Sequence, residues 1–418
     1  MLPFRFLLFL TLPGLLVLAS FKPARAQHEG FIYGRVQTHD GVVYTGQIRW
    51  SAHQVFWGDV LVGVKTGVPV LQYLNEEQIS QLNEAGQDKG IDWQFINLWK
   101  TKYPERDYDL KLRFGDLAAI QVTGEQAATV TLKNGQKIKI AGHPDDNRHL
   151  GKDITIYDNQ KGRTTVNWDN LDRVNFLPTP ALLPHVKGIP LYGTVNTANG
   201  PLTGFIKWDQ DEYLSVHQLD GQLDSNPQNL RYPFSQIHSI QVRDKGAVVK
   251  FFSDDKVFLK NNRDVNADNR GIVVQHPAWG SAVVSWEAFR SVTFEDQVPA
   301  NLGYESYGKP RKLHGTIRTT NNRNYKGEFV FDLDEEWSAE LLNGRFQNSI
   351  RYAIPFRQVT SLKPLPGDRA EIILAAGEKL TLENENDVSG RNWGLMVLLP
   401  NARHRYIPWS KVSHISFF

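Results

Sequence analysis

The sequence predicts an all-β protein of three tandem repeats, each made of two small five-stranded barrels or half-barrels, with one helical insertion in the first repeat. Three observations predict it: a glycine-marked hairpin opens each repeat, an aromatic-led pattern closes each, and helical spacing is confined to one stretch.

The openings align closely. Tyr33-Gly34-Arg35-Val36-Gln37-Thr38 leads to Gly46-Gln47-Ile48-Arg49-Trp50, and Tyr192-Gly193-Thr194-Val195-Asn196-Thr197 leads to Gly204-Phe205-Ile206-Lys207-Trp208. His314-Gly315-Thr316-Ile317-Arg318-Thr319 leads in turn to Gly327-Glu328-Phe329-Val330-Phe331. Each reads as a strand, a polar turn and a second strand ending on an aromatic. The closings share one spacing: Trp168, Leu171, Val174 and Phe176; Trp286, Phe289, Val292 and Phe294; Trp409, Val412, Ile415 and Phe417. An aromatic followed by apolar residues at +3 and +6 recurs inside each repeat, at Phe114, Phe234 and Phe356, so each repeat divides into two half-units. Alternation around Asn134-Gly135, Asp254-Asp255 and Ala376-Gly377 predicts a further hairpin in each.

Prolines at 178, 180, 184 and 190, then at 299 and 310, mark the joints. The repeats accordingly span residues 27–177, 188–295 and 311–418, after a leader at 1–26. The first repeat is longer, and its excess, about residues 64–109, contains helical spacing over Asn75 to Ala85 and over Ile91 to Lys100. The G-x-[V/I]-x-T, G-x-[I/V]-x-[W/F] opening resembles the first hairpin of Sm-like small barrels, and the whole unit is similar to modules of uncharacterised exported bacterial proteins. The resemblance implies small-barrel folds and carries over no functional residue.

Segment 1–26 has the form of a secretory signal, with Arg5, an apolar run from Phe6 to Leu18, and Ala24-Arg25-Ala26 as the cleavage site. Its three cations account for the formal charge of +2, so the mature chain is near neutral and lacks the field of a nucleic-acid binder. No cysteine is present, which removes disulfides, thiol nucleophiles and Cys-ligated zinc together. An exported chain in the periplasm or on the surface of a bacterium is the expectation, with no transmembrane segment after cleavage and with stability resting on apolar cores.

No nucleophile elbow, phosphate loop, H-E-x-x-H or dinucleotide fingerprint occurs. His143 and His149, six apart, are the nearest approach to a histidine metal pair and read as a solvated loop. Asp209, Asp211 and Glu212 after Trp208, and Asp332, Asp334, Glu335 and Glu336 after Phe331, are oxygen-rich runs of the kind that holds calcium, weighed against solvated hairpin ends. The expectation is solvated ends, no metal and no cofactor.

Trp168, Trp286 and Trp409 hold a repeated place and read as core. Trp57, Tyr213 and Trp337 stand at variable offsets and are candidate ligand contacts as well as core, while Trp93 and Trp99 belong to the insertion. Asp264 with Asn269, and Asp387 with Asn392, share the pattern D-V-x-x-x-N-x-G-[I/L]. The pairs are either ligand hooks or turn-fixing residues. The function expected is non-enzymatic binding or scaffolding of a protein, peptide or glycan. The alternatives are a hydrolase with carboxylates at a seam between repeats, and a structural spacer.

Overall fold

The computed structural model describes residues 28–51, 53–67, 69–85, 108–142, 149–223, 226–400 and 403–418. The leader, the Ile91 to Lys100 stretch with Trp93 and Trp99, and His143 lie outside these residues. Among the described residues the protein is almost all antiparallel β, with one α-helix and several 3-10 turns.

The first ten strands are β1 (Tyr33–Thr38), β2 (Val43–Trp50), β3 (Val60–Lys65), β4 (Asp109–Arg113), β5 (Leu117–Gly124), β6 (Ala127–Leu132), β7 (Lys137–Ala141), β8 (Ile154–Asp158), β9 (Gly162–Val166) and β10 (Leu171–Phe176). The next are β11 (Tyr192–Thr197), β12 (Gly200–Lys207), β13 (Gln218–Leu223), β14 (Asn226–Pro233), β15 (Ile237–Arg243), β16 (Gly246–Phe251), β17 (Lys256–Lys260), β18 (Ile272–His276), β19 (Gly280–Val284) and β20 (Phe289–Phe294). The last are β21 (His314–Thr319), β22 (Asn324–Phe331), β23 (Leu341–Phe346), β24 (Ile350–Pro355), β25 (Val359–Leu365), β26 (Arg369–Leu374), β27 (Lys379–Glu383), β28 (Leu395–Leu399), β29 (Arg403–Ile407) and β30 (Val412–Phe417).

Within the first block the strands hydrogen-bond in the order β4-β3-β7-β6-β5-β10-β1-β2-β8-β9. The pairings of β11–β20 connect the same ordinal positions, β14-β13-β17-β16-β15-β20-β11-β12-β18-β19. Those of β21–β30 do so again. The second and third blocks are fused into one sheet by β19 pairing with β24.

Each block contains two five-strand ladders, and one is nested inside the other. In the first block β10-β1-β2-β8-β9 is interrupted between β2 and β8 by β5-β6-β7-β3-β4, and the two join through β5 against β10. A 3-10 turn links β4 to β5 at Phe114–Asp116 and β9 to β10 at Trp168–Asn170. These turns carry the chain across without main-chain pairing, so among the described residues neither sheet closes, and β4, β9, β14 and β29 are edges. The edges carry charges or proline, as in Asp109 and Lys111 on β4, Arg403 and Arg405 on β29 and Pro233 at the end of β14. Such residues discourage pairing with other chains.

Close strand approach explains the repeated glycines. A Cβ at Gly34, Gly193 or Gly315 would lie 2.4, 2.2 or 2.1 Å from a carbonyl oxygen of β10, β20 or β30. One at Gly46, Gly204 or Gly327 would meet a carbonyl oxygen of β8, β18 or β28 at 2.0, 2.2 or 2.5 Å. Any side chain there pushes the sheet apart. The aromatic closing pattern also has a structural cause, since at Trp168, Trp409, Phe114, Phe234 and Phe356 the aromatic starts the 3-10 turn and the +3 residue starts the next strand.

One continuous apolar core runs through the second and third blocks, and a second fills the first block and extends to Phe205, Tyr304, Tyr307 and Trp337. Phe56 stacks between Phe31 and Phe205, with ring centroids 5.2 Å away on both sides. The helix α1 (Glu76–Ala85) begins at Asn75, whose side chain accepts from the Gln78 amide at 2.8 Å while Gln78 answers at 3.0 Å, a reciprocal cap. With the preceding 3-10 turn Pro69–Tyr73, it buries Val70, Leu71, Leu74, Ile79 and Leu82 against Val330, Leu333, Trp393 and Met396 of the third block. The described first part of the insertion, residues 69–82, therefore packs onto the third block.

Candidate functional site

The strands β2, β12 and β22 run into turns at equivalent places, each with left-handed backbone. Ser51 (φ 53°) begins the first, Asp209 and Gln210 (47°, 66°) form the second, and Asp332 and Leu333 (46°, 63°) form the third. Two consecutive positive φ values make a tight turn whose twist suits a hairpin. Leu333 is a bulky residue in this region and is fully buried, so the apolar cover supplied by the insertion offsets a backbone conformation that costs about 1–3 kcal/mol.

The acidic runs expected to be solvated hairpin ends are corrected by this packing. Asp209, Asp332, Asp334 and Glu335 are all buried, while Asp211 and Glu212 are half-buried. The reason lies in other parts of the chain: the third-block turn is covered by β3, β4 and the insertion, and the second-block turn lies against His53, with His53 Nδ1 3.1 Å from Asp211.

A cavity of about 60 Å³ opens at the seam between the first and third blocks, bounded by Asp109 and Lys111 on β4 and by Asp334, Glu335, Glu340 and Asp387. Lys65, buried at the end of β3, pairs with Glu340 and donates to the Asp334 carbonyl. Burial opposes its charge, but Glu340, Asp334 and Glu335 outweigh that and hold the ammonium above its ordinary range. Lys111 pairs with Asp109 at 2.8 Å. Glu340 also accepts from the Glu336 and Trp337 amides at 2.6 and 2.8 Å, so its position is fixed. Burial, then the charges of Asp334 and Asp387, push the Glu335 carboxyl well above the usual range, and among the described residues its Oε2 has no hydrogen-bond partner. Asp387 is pushed up to about 7 by burial and by Asp332, against the stabilising bond from the Asn343 amide at 2.6 Å.

The second block repeats this turn with a different neutralisation. Arg263 Nε lies 2.6 Å from Asp209 Oδ2, and Arg270 reaches the same oxygen at 2.8 Å while its main-chain N–H donates to Oδ1 at 2.6 Å. Burial, then Asp264, lifts Glu212 to about 8. Asp264 is lifted to about 6, again mainly by burial.

The candidate contacts have the following surroundings. Trp57 is fully buried, donates to Thr179 at 2.9 Å and packs on Tyr304 at 4.6 Å. Trp337 is buried beneath the Lys312 ammonium, 4.3 Å from its ring. Tyr213 is half-buried, edge-on to Phe56 at 5.8 Å. Asp264 accepts from the Asp220 amide at 2.8 Å, and Asn269 accepts from Gly271 at 2.9 Å, holding the loop against β13. Asp387 and Asn392 do the same for β23, with Asn392 accepting from Gly394 at 2.8 Å. These are the bonds of turn-fixing residues. Among the repeated tryptophans Trp168 and Trp409 are buried, and Trp286 is half-buried, edge-on to Trp208.

Sequence reasoning missed Lys65, Lys111 and Glu340, which come from strands and turns that are remote in the chain. One signal was available: the apolar Leu333 at the tip of a turn, where Gln210 stands in the second block, marks a turn that something covers. No described helix is long and apolar enough to cross a membrane. Compared with known protein families, characterised proteins and solved structures, the chain matches none.

Proposed function

We propose that the chain is an exported, non-enzymatic scaffold of three tandem units, each of two Sm-like small-barrel modules, that binds a protein, peptide or glycan at the bacterial envelope. The recurrence of one set of strand pairings and of the Gly34, Gly193 and Gly315 contacts supports the tandem-unit reading. The form of residues 1–26 supports export.

One observation carries the non-enzymatic reading. Glu335 and Asp387, two buried carboxyls held above their ordinary range, line a seam cavity of only about 60 Å³, whereas organic ligands occupy clefts of about 300–1,000 Å³. A sugar or peptide does not fit beside these two carboxyls. A groove at the β19–β24 joint, walled by Trp279, Tyr352, Leu374 and Leu380, supplies an open aromatic surface against which a partner can lie. The test is a screen of the mature protein against glycan and peptide arrays alongside chromogenic glycoside, ester and peptide substrates. Binding that Trp279→Ala weakens, with no turnover, supports the proposal; turnover abolished by Glu335→Gln or Asp387→Asn overturns it in favour of a seam hydrolase.

A further inference from the structure

We propose that the edge strand β9 is a docking edge, and that its occupant is β9 of a second copy of this chain, the two strands pairing antiparallel across a two-fold axis.

The chain itself shows how such an edge is used. In the second block β19 pairs with β24 of the third, from Ser281 opposite Ala353 to Val284 opposite Ile350, and this edge-to-edge joint fuses the two blocks into one sheet. Counting back from Trp168 and Trp286 makes β9 the counterpart of β19, with Gly162, Arg163, Thr165 and Val166 in the places of Gly280, Ser281, Val283 and Val284. β9 pairs with β8, and no described strand takes the side that β24 takes on β19. Gly162 keeps the clearance of the joint without its neighbour. A Cβ at Gly280 would lie 2.3 Å from the Ala353 carbonyl oxygen, whereas one at Gly162 meets nothing within 4 Å among the described residues. Arg163 and Thr165 are exposed where Ser281 and Val283 are half-buried.

The main-chain donors of β9 point outward. Across the existing joint the Ser285 N–H donates to the Ser349 carbonyl at 2.9 Å, so by the alternation of a strand Val283 and Ser281 also face β24. Their counterparts Thr165 and Arg163 therefore turn their N–H groups away from β8.

The other three edges are covered or guarded. β4 faces the seam with the third block through Asp109 and Lys111. β29 carries Arg403 and Arg405 and has Tyr73 of the insertion stacked on His404. β14 carries Arg231, tied to Asp220 at 3.2 Å, and ends in Pro233. β9 ends instead in Thr164, Thr165 and Val166, which favour a pleated backbone, and holds one charge, Arg163. That charge selects the occupant. In the register of the existing joint, β14 of another copy would set Arg231 opposite Arg163, and like charges directly opposed repel. Two copies of β9 paired about Thr164 or Thr165 place Arg163 opposite Thr165 or Asn167 instead. Such a pairing uses the same patch on both copies and closes at a dimer.

The experiment is sedimentation velocity on the full mature chain over a dilution series. The expected result is a reversible monomer–dimer equilibrium. Thr165→Pro removes an outward N–H and no bond to β8, and is expected to give a monomer at every concentration with the circular dichroism spectrum of the unaltered chain. The chain has no cysteine, so Thr164→Cys, Thr165→Cys and Arg231→Cys each carry a single thiol. The two-fold sets one β9 residue opposite itself with Cα atoms about 4.5–5.5 Å apart, within the reach of a disulfide. One of Thr164→Cys and Thr165→Cys is therefore expected to crosslink into a dimer under mild oxidation, while Arg231→Cys stays monomeric. Should Thr165→Pro fail to fold, the crosslinks decide alone. The proposal is overturned if the unaltered chain is monomeric throughout, or if folded Thr165→Pro dimerises as the unaltered chain does. Crosslinking of Arg231→Cys as readily as of either β9 variant also overturns it, and assigns the docking edge to β14. None of these outcomes bears on glycan or peptide binding or on turnover, which the array and substrate screens decide separately.

Discussion

Replacing Asp116 by Asn tests how the first and third blocks are held together. Asp116 is completely buried at the end of the 3-10 turn before β5, and it receives Arg113 Nε at 3.1 Å and the guanidinium of Arg357 from the third block. Arg113 is itself 1% exposed and donates to the Pro277 carbonyl of the second block at 3.1 Å, so one carboxylate organises charges of the first and third blocks beside a carbonyl of the second. Burial lowers both arginines, Arg113 to about 10 and Arg357, further opposed by Arg113, to about 9. Without the carboxylate two desolvated guanidinium groups face each other. Breaking a buried pair by removing one partner costs about 3–5 kcal/mol, a large share of the roughly 5–15 kcal/mol that a folded domain has. Urea unfolding followed by tryptophan fluorescence measures the loss. Arg357→Met leaves Asp116 paired with Arg113 and is expected to cost less, and the double variant less than the sum of the singles. If Asp116→Asn changes stability by under about 1 kcal/mol, the junction is not organised by this charge.

Two shorter predictions follow from the strand contacts and the second acidic turn. Gly315→Ala places a methyl group 2.1 Å from the Ser416 carbonyl and forces β21 from β30, at an expected cost of about 1–3 kcal/mol in the same urea assay; a neutral result would mean that the strands are not this close. Glu212 is lifted to about 8 and Asp264 to about 6, so the folded state keeps protons that the unfolded chain releases at lower pH. That stability is complete below the unfolded carboxylate range and is lost as pH rises through the folded values. Melting temperature is therefore expected to fall between pH 6.5 and 8.5, with a shallower slope in Glu212→Gln; an unchanged slope in that variant refutes the assignment.

Features that depend on neighbours in the chain were legible in the sequence. The aromatic that starts the 3-10 turn at Phe114, Trp168, Phe234, Phe356 and Trp409, the Asn134-Gly135 hairpin and the helix from Glu76 each have a local cause, and the pattern of residues reports it. The nesting of β3 to β7 between β2 and β8 was not legible, because periodicity identifies strands without saying which remote strand completes their ladder. The acidic turns were misread for a related reason. Four charged or polar residues after a strand look solvated, and the packing of β3, β4 and residues 69–82 over the third turn removes it from water. The Asp116 junction carries no sequence signature, since Arg113 and Arg357 are separated by most of the chain.

The first block closes on the third through residues 69–82 of its insertion, which pack over Leu333 of the acidic turn. Tyr73, at the end of the insertion's 3-10 turn, stacks on His404 of β29 with ring centroids 3.4 Å apart. The chain has no cysteine, so Tyr73→Cys with His404→Cys gives two unique labelling sites. Labelled with pyrene maleimide at high dilution, the double variant is expected to show excimer emission that disappears on unfolding and is absent from an equimolar mixture of the two single variants. Monomer emission alone from the folded double variant would contradict the claim, because it would place the insertion away from the third block.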